Sequence, residues 1–367
     1  MKVAHILNSV EYSGLETMLY QASGIFKEAN IDTTLLACYK QKGNFEQQML
    51  NQGYSIANIG TDGKLSFLVK FFKYFRDNKF DYVHIHTDNL YVWEVIILRL
   101  TKHRNIVRSY HNCWTFTGFL RYKRILHRRI ATFLGVKNHA IGNAVQLNEQ
   151  KVFLNKCFII NNWINLNSSL LNNGSTRQTK RAELGIGQDD FVIISIGGCS
   201  PVKNHGFIIG LVKALVERGI KLTYLHVGTG IDENSEKDSV RKEGLETQIT
   251  FAGNRADIPE LLICSDVYLM PSLYEGLSIA LLEAMYYNGI VIVNNAPGLN
   301  NLIVNNETGY VIEVASKGEY IDKLLKISQG VSDTKKIKSA AGEFVEQNFS
   351  MEKNCKALID FYKDTAR

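Results

Sequence analysis

Residues 266–293 decide the fold, and they read D-V-Y-L-M-P-S-L-Y-E-G-L-S-I-A-L-L-E-A-M-Y-Y-N-G-I-V-I-V. The apolar run 267–270 predicts a buried parallel strand, which ends at Pro271. After a short turn comes a helical pattern that Gly289 ends, and residues 290–293 form the next apolar run. This β-turn-α-β unit predicts an open parallel sheet covered by helices.

Two glutamates have fixed places in this unit. Glu275 follows the first strand at its carboxyl end, where open α/β sheets bind ligands. The helix is predicted from Leu277 to about Asn288, so Glu283 lies inside it and can face the same site. Free amides at a helix start suit a diphosphate, and carboxylates accept hydrogen bonds from ribose or sugar hydroxyls. Two glutamates alone favour solvated side chains in an ordinary βαβ unit, but the flanking P-S and A-M-x-x-x-G favour a nucleotide-sugar site.

The stretch P-S-L-Y-E-G-L-S-I-A-L-L-E-A-M, with its E-x7-E spacing, resembles the signature of retaining glycosyltransferases of family 4. These are the glycosyl transferases group 1 of the polysaccharide and O-antigen biosynthesis type. The resemblance implies the α/β fold GT-B, in which two Rossmann-like doubly wound domains face a central cleft. It also implies sugar transfer from a nucleotide donor with retained anomeric configuration, and neither a cofactor nor a metal. In this family Glu283 would hold the ribose and Glu275 the transferred sugar.

Length and composition agree with this expectation. The 367 residues suffice for two domains, and 45% hydrophobic and 21% charged residues are ordinary values for a globular protein. Six scattered cysteines without a C-x-x-C pair predict reduced thiols in the cytoplasm, with no disulfide frame and no zinc site. The start M-K-V-A-H-I-L-N predicts a first strand rather than a signal peptide, and no apolar run is long enough to span a membrane.

Strand and helix patterns alternate along the chain, which predicts parallel sheets with helices on both faces. The predicted strands outside the central unit are 3–7, 33–37, 82–85, 106–109, 140–141, 191–196, 223–227 and 249–252. The polar, turn-rich segment 167–180 is the predicted linker. The predicted domains are residues 1–170 on the acceptor side and 171–348 for the nucleotide sugar. By the resemblance, residues 349–367 form a C-terminal helix that packs back on the first domain.

Candidate residues of the first domain follow predicted strands. Ser13 and Gly14 turn the chain into a helix whose amides can reach the donor, although a plain βα turn explains them as well. His111, in V-R-S-Y-H-N-C, corresponds to the family's histidine beside the transferred sugar, although a lone histidine is often a structural residue. His86 and Asp88 could accompany it, but no third metal ligand is recognisable.

One part of this domain is strongly basic. Residues 95–148 contain ten lysines and arginines and no acidic residue, against a net charge of +6 for the whole chain. Within it, apolar residues step by 3, 4, 4 and 3 along one helical face, namely Phe119, Tyr122, Leu126, Ile130 and Phe133. The arginines on or beside the other face are Arg121, Arg124, Arg128 and Arg129. Such a helix can lie on an anionic membrane surface, or it is a domain helix with a basic outer face. No nucleic-acid module is present.

The second domain offers further donor-site residues through the resemblance. Lys203, in I-S-I-G-G-C-S-P-V-K-N-H, matches the family's lysine for the donor diphosphate. Gly198 stands where the family has an arginine, so one cation is absent. Gly228 belongs to the glycine loop L-H-V-G-T-G, and Asn254 and Arg255 lie where relatives hold the base. Arg255 is also a candidate replacement for the missing cation.

The leading interpretation is a retaining hexosyltransferase that uses a UDP-sugar and a lipid-linked or polysaccharide acceptor on the cytoplasmic face of the cell membrane, where it is peripheral. His111, Lys203 and Glu275 are its predicted catalytic residues, and the amides of Gly276, Leu277 and Ser278 help bind the diphosphate. An inactive relative that binds sugar or nucleotide as a partner subunit is the alternative, and Gly198 motivates it. An NAD-dependent dehydrogenase is disfavoured, because the glycine fingerprint is incomplete.

Overall fold

The computed structural model describes residues 1–60, 63–113, 116–172, 174–314, 316–331 and 334–364. The chain divides into two compact units. The first unit is Met1–Asn165 together with Phe349–Arg367, and the second is Leu166–Asn348. Among the helices of the described residues, none is long and apolar enough to cross a bilayer.

Strands and helices alternate in both units. The strands are β1 Lys2–Leu7, β2 Asp32–Ala37, β3 Ser55–Asn58, β4 Tyr82–Ile85, β5 Ile106–Tyr110, β6 Lys137–Ala140, β7 Phe158–Ile159, β8 Phe191–Ile196, β9 Leu222–Val227, β10 Ile249–Phe251, β11 Val267–Met270, β12 Val291–Asn294 and β13 Tyr310–Ile312. The helices of the first unit's main segment are α1 Gly14–Glu28, α2 Glu46–Asn51, α3 Lys64–Asp77, α4 Tyr91–Leu100, α5 Gly118–Phe133 and α6 Asn143–Phe153. The later helices are α7 Ser168–Asn172, α8 Ser175–Glu183, α9 His205–Val216, α10 Glu233–Glu243, α11 Ile258–Cys264, α12 Ile279–Tyr287, α13 Lys317–Ser328, α14 Thr334–Phe349 and α15 Met351–Asp364.

The first unit is built on a parallel sheet of order β3-β2-β1-β4-β5-β6-β7. Successive side chains of β1 point to opposite faces of the sheet, so Val3 packs with α1 and α15 while Ala4 packs with α3 and α4. Along α3, Phe67, Phe71 and Phe75 are buried at intervals of four residues, which places them on one helical face. Helices on both faces explain why β1, β4 and β5 are almost wholly buried.

The C-terminal helix α15 completes the first unit. Its Cys355, Leu358, Ile359 and Tyr362 lie in the same apolar cluster as α1 and β1. The Tyr362 hydroxyl is 2.6 Å from Nδ1 of His84, which is buried on β4. The last helix of the chain therefore forms part of the core of the unit with which the chain begins.

The second unit repeats the design with a parallel sheet of order β10-β9-β8-β11-β12-β13. Ile193, Leu269 and Ile292, from three neighbouring strands, pack against Leu211 and other apolar residues of α9. Burying each such side chain contributes about 1.5–3 kcal/mol.

The segment 167–180, predicted as a linker, is largely helical and lies in the second unit. Arg177 and Arg181 of α8 bind the two oxygens of Asp266 at 2.5 Å and 2.9 Å, and Arg181 is completely buried. Polar composition alone does not distinguish a helix held by buried arginine from a flexible linker. Asn173, also in the predicted linker, lies outside the described residues.

Candidate active site

The second sheet has a switch point between β8 and β11. After β8 the chain builds β9 and β10 on one side, and then returns to place β11 on the other. Loops that leave two such strands diverge, and ligands bind in the opening beyond the carboxyl ends. The loop after β8 contains Lys203 and the loop after β11 contains Glu275. Both predicted residues therefore lie at the edge where a nucleotide is expected.

Lys203 and Glu275 form an ion pair at this edge. The lysine Nζ donates to Oε1 of Glu275 at 2.7 Å. The two side chains are only 23% and 13% exposed, so water screens their attraction less than at an open surface. The pair presents a cation and a carboxylate to the same small volume.

The backbone of Glu275 is held by the loop after β12. The Glu275 amide donates to the carbonyl oxygen of Pro297 at 2.9 Å. Gly298 has φ +83, and a Cβ at this position would lie 2.1 Å from the Glu275 carbonyl oxygen. Only glycine permits this approach, so Gly298 is required where its loop packs against the backbone of Glu275.

Helix α12 starts next to the ion pair. Ser278 is its N-cap, and its Oγ accepts from the Leu281 amide at 3.3 Å. The helix begins at Ile279, two residues after the predicted start, because the serine side chain caps it there. Within the described chain, the amides of Gly276, Leu277 and Ser278 have no hydrogen-bond partner. These donors and the positive end of the helix dipole suit an anionic ligand.

Glu283 is a half-buried carboxylate on α12. Burial raises the pKa of its carboxyl group to about 7. No described residue donates a hydrogen bond to it. Because an unpartnered buried carboxylate is costly, its position suits a ligand that brings its own donors. A ribose diol is such a ligand.

The glycine loops after β8 and β9 touch through their backbones. A Cβ on Gly228, which has φ +136, would lie 2.1 Å from the carbonyl oxygen of Gly197. A Cβ on Gly230 would lie 2.3 Å from the carbonyl oxygen of Cys199. Close packing explains the L-H-V-G-T-G pattern without a dinucleotide.

The surroundings of Gly198, where the family has an arginine, bear on the prediction that Arg255 replaces this missing cation. A Cβ on Gly198 would come within 3.1 Å of the Thr229 carbonyl oxygen, so this position is crowded. Arg255 binds both carboxylate oxygens of Asp257, at 2.8 Å and 2.6 Å, and does not replace the absent arginine. A bidentate carboxylate partner satisfies the guanidinium at the surface. Asn254 accepts from the Thr229 hydroxyl at 3.5 Å and lies beside the Gly228 loop.

In the first unit, Ser13 and Gly14 turn the chain into α1 as predicted. Ser13 is the N-cap, and its Oγ accepts from the Leu15 amide at 3.3 Å and donates to the Glu16 carboxylate. Burial raises the pKa of Glu16 to about 7.

His111 belongs to a row of three histidines. His111 and His86 were predicted from the sequence as possible neighbours, and His5 was missed. Its Nε2 is 2.9 Å from Nδ1 of His86, and the His86 Nε2 is 2.9 Å from Nδ1 of His5. These residues follow or lie on β5, β4 and β1, which are neighbours in the sheet although distant in sequence. Burial lowers the pKa of His111 to about 4. A neutral imidazole, oriented by its neighbour, can accept or donate one hydrogen bond to a ligand.

The predicted orientation of α5 is wrong for three of its arginines. Arg121 Nε donates to the Val152 carbonyl at 3.0 Å, and Arg124 Nη1 donates to the Asp88 carbonyl at 2.7 Å. Arg128 is buried and binds both oxygens of Glu149, each at 2.6 Å. These side chains face the protein because carbonyl and carboxylate acceptors there pair with them. Of the four arginines only Arg129 is exposed.

Most of the apolar face of α5 lies outward, whereas its Ile130 packs against the core of the first unit. Phe119 is 84% exposed and Phe133 is 90% exposed, and Tyr122 and Leu126 are exposed between them. Lys123 and Arg129 share this surface. The surface is therefore mixed apolar and basic, with the large apolar side chains at its centre.

Comparison with known proteins gives a family match for the second unit and full-length relatives. Residues 176–344 match the model of the family Glycosyl transferases group 1. EpsF of Bacillus subtilis (strain 168), which carries a glycosyltransferase name, is 26% identical over 384 positions, covering 98% of this chain and 96% of EpsF. The UDP-Gal:alpha-D-GlcNAc-diphosphoundecaprenol alpha-1,3-galactosyltransferase of Escherichia coli is 23% identical over 381 positions, with 99% and 97% covered.

Among solved structures, HepE of Anabaena in complex with UDP superimposes with a TM-score of 0.80. It is 19% identical, and the match covers 99% of this chain and 100% of HepE. The fold is GT-B. A second structure of HepE holds UDP-glucose. The GT-B fold and the glycosyltransferase relatives together support a transferase that takes its sugar from a nucleotide sugar.

Proposed function

We propose that this GT-B protein is a retaining glycosyltransferase that moves a sugar from a UDP-sugar to a lipid-linked glycan acceptor. The observation behind the proposal is the set of side chains at the switch point of the second sheet. Lys203 and Glu275 are paired there, and Glu283 has no partner among the described residues. A nucleotide sugar supplies the diphosphate, the sugar hydroxyls and the ribose diol that such groups bind.

Each donor-site group has one chemical task in this proposal. Lys203 and the amides of Gly276, Leu277 and Ser278 stabilise negative charge that develops on the leaving diphosphate. Glu275 accepts hydrogen bonds from the transferred sugar, and Glu283 accepts from the ribose. The assignment of His111 to the transferred sugar stays a prediction from the family resemblance.

The proposed reaction is a front-face displacement. The bond from the anomeric carbon to the diphosphate oxygen breaks, and the bond from that carbon to the acceptor oxygen forms on the same face. A diphosphate oxygen takes the proton of the acceptor hydroxyl. Positioning and charge stabilisation are the protein's contribution, so neither a metal on the diphosphate nor another cofactor is part of the proposal.

Two relatives support the chemical class of donor and acceptor. HepE binds UDP and UDP-glucose in its solved structures. The E. coli relative is named for UDP-galactose and for a sugar on diphosphoundecaprenol. We extend that chemistry to this chain as a working choice of substrates for assay.

The exposed face of α5 supports a location on the inner surface of the cell membrane. Aromatic and aliphatic side chains flanked by lysine and arginine are suited to the lipid–water interface. An acceptor with a polyprenyl tail would be held at the same surface. In this account the apolar face meets the acyl chains, and Lys123 and Arg129 meet anionic headgroups.

A transfer assay tests the proposal. The purified protein is incubated with UDP-glucose, UDP-galactose or UDP-N-acetylglucosamine and GlcNAc-diphosphoundecaprenol, and products are identified by mass spectrometry and anomeric NMR couplings. We expect one donor to give an α-linked product from its α-configured sugar, with no increase in rate on adding Mg²⁺. An inverted product would contradict the retaining mechanism.

Gly198 motivates a second candidate, an inactive relative that binds the nucleotide as a partner subunit. The family's arginine is absent there, and Arg255 is engaged with Asp257. The two candidates differ in one result. UDP binding of ordinary strength without turnover of any donor would favour the binding subunit.

A further inference from the structure

A second cluster of reactive side chains lies inside the second unit. Cys199, His205, His226 and Glu236 are all buried, and one possible ligand atom from each lies within 4.8 Å of the others. They come from four separate elements: the loop after β8, the start of α9, the end of β9 and the first turn of α10. Folding, and not a local sequence motif, brings them together.

The contacts within the cluster are short. Cys199 Sγ is 3.2 Å from Nε2 of His226, and Nδ1 of His205 is 3.1 Å from Oε1 of Glu236. The two imidazole rings have their centres 4.3 Å apart. Four ligands around one Zn²⁺, at about 2.0–2.3 Å from the metal, have separations of this order.

The orientation of His226 is typical of a metal ligand. Its Nε2 faces the cluster, while its Nδ1 is 3.0 Å from the Ser195 hydroxyl. That hydroxyl is in turn 2.6 Å from the Tyr224 hydroxyl. Metal-binding histidines commonly donate from their second nitrogen in this way, and when Nδ1 donates to the Ser195 hydroxyl, Nε2 is free for a cation.

Glu236 gives an independent reason to expect a cation. Its side chain is 7% exposed, and its Oε2 is buried without a hydrogen-bond partner among the described residues. Leaving a buried carboxylate oxygen unpaired costs free energy. A metal ion beside the carboxylate would satisfy that oxygen.

We propose that this cluster is a structural site for Zn²⁺ or a similar divalent metal. A thiolate, a carboxylate and two neutral imidazoles bring two negative charges, which balance the two positive charges of the ion. The buried site is then neutral, and so its desolvation is not prohibitive. One sulfur, two nitrogens and one oxygen favour a tetrahedral Zn²⁺ over Mg²⁺ or Ca²⁺, and four protein ligands make the site closed and structural.

The proposed ion would brace the donor loop. Cys199 lies in the loop between Gly197 and Lys203, so the metal would tie this loop to α9, β9 and α10. The inference does not depend on sugar transfer, because it concerns folding and loop position only. The expectation of no zinc site was based on cysteine spacing, and a single cysteine with three distant partners has no such spacing.

The test uses the full chain, reduced, freed of metal with a chelator and desalted. Co²⁺ is titrated into it and followed by absorption, and Zn²⁺ is then added in competition. We expect one equivalent of Co²⁺ to give the d–d bands of a tetrahedral site with a thiolate-to-cobalt charge-transfer band. Zn²⁺ should abolish these bands and raise the Tm of the metal-free protein by several degrees.

Variants locate the site. Cys199→Ser should lose the charge-transfer band, and Glu236→Gln should bind Co²⁺ at least ten times more weakly. Cys264→Ser is the matched control, since this buried cysteine of the same unit donates to the Leu261 carbonyl and lies outside the cluster. The double variant Cys38→Ser, Cys113→Ser should keep the band, because these half-buried cysteines lie outside the cluster.

If Cys199→Ser does not fold, the wild-type titration decides. Absence of the thiolate band, or its persistence in folded Cys199→Ser, would overturn the proposal.

Discussion

At the scale of single residues, the strongest signal is a half-buried carboxylate, Glu283, that has no hydrogen-bond partner among the described residues. Burial raises the pKa of Glu283 from its ordinary 4.5 to about 7. The folded state therefore holds the proton more tightly than the unfolded state does. It follows that ionisation of Glu283 costs stability, and that this cost grows as the pH rises from about 4.5 to 7.

The first prediction concerns this cost. Glu283→Gln should raise the Tm relative to wild type at pH 8 and change it little at pH 4, because the wild-type side chain is neutral at the lower pH. Thermal unfolding of both proteins at the two pH values measures the difference. Glu346→Gln, at an exposed position of α14, is the control and should shift the Tm equally at both. A Tm gain of Glu283→Gln that is the same at pH 4 and pH 8 would show that Glu283 is not buried as described.

The second prediction concerns the buried ion pair of α5. Arg128→Met should destabilise the protein by about 3–5 kcal/mol, because it leaves Glu149 buried and uncompensated. Arg129→Gln, one residue further on and exposed, should change stability by less than about 0.5 kcal/mol. Urea unfolding of the two variants measures both values. Equal effects of the two substitutions would contradict the inward orientation of Arg128.

Sequence reasoning at this scale found both members of the Lys203–Glu275 pair, since each lies in a recognisable motif after a strand. It could not show that the two bind each other, because a contact between distant loops leaves no recognisable spacing in the sequence. The same is true of His5, whose place beside His86 depends on which strands are neighbours in the sheet. Arg255 was a candidate replacement for the absent arginine, and its pairing with Asp257, two residues on, was not recognised from the sequence.

At the scale of elements, α5 shows what periodicity can and cannot tell. The spacing of Phe119, Tyr122, Leu126, Ile130 and Phe133 predicted one apolar face; four of these side chains are exposed together, while Ile130 packs against the core. Three of the four arginines predicted for the membrane surface face the protein instead, because carbonyl and carboxylate acceptors hold them. The apolar side chains are left at the surface as a consequence.

The third prediction follows from this orientation. The triple variant Phe119→Ser, Leu126→Ser, Phe133→Ser should lose most of its binding to phosphatidylglycerol vesicles in co-sedimentation, because the aromatic and aliphatic anchors are gone. Its thermal stability should stay near that of wild type, since these side chains are exposed. Lys123→Gln with Arg129→Gln should weaken binding mainly at low salt. Undiminished binding of the triple variant would contradict a membrane role for this face.

Strands in long apolar runs were predicted well, because both faces of a parallel sheet are covered. The observed β4, β8 and β11 have the predicted bounds. The strands β3, β7 and β13 were missed, since they are short and lie at the edges of their sheets, where fewer neighbours bury them. The polar helices α7 and α8 were predicted as a linker, because composition alone does not reveal that Arg177 and Arg181 bind Asp266.

At the scale of the whole molecule, the two ends of the chain meet in the first unit. Tyr362 is fully buried and bonds to His84, 278 positions earlier in the chain. The fourth prediction is that Tyr362→Ala costs about 3–5 kcal/mol, as expected for removing a large core side chain. Lys356→Ala, on the exposed side of the same helix, is the control. Tyr362→Phe should cost about 1 kcal/mol, which isolates the hydrogen bond to His84. A cost of Tyr362→Ala as small as that of Lys356→Ala would show that α15 is not part of the core.

The measurement that tests the central claim most directly is calorimetric binding of UDP at pH 8 to wild type, to Glu283→Gln and to the exposed control Glu346→Gln. We predict that wild type and the control bind alike. Glu283→Gln should bind UDP more weakly by about 1.5–3 kcal/mol, because a charged hydrogen-bond acceptor for the ribose diol is lost. Folded wild type that binds no UDP, or Glu283→Gln that binds as tightly as wild type, would contradict the assignment of the donor site to the switch point of the second sheet.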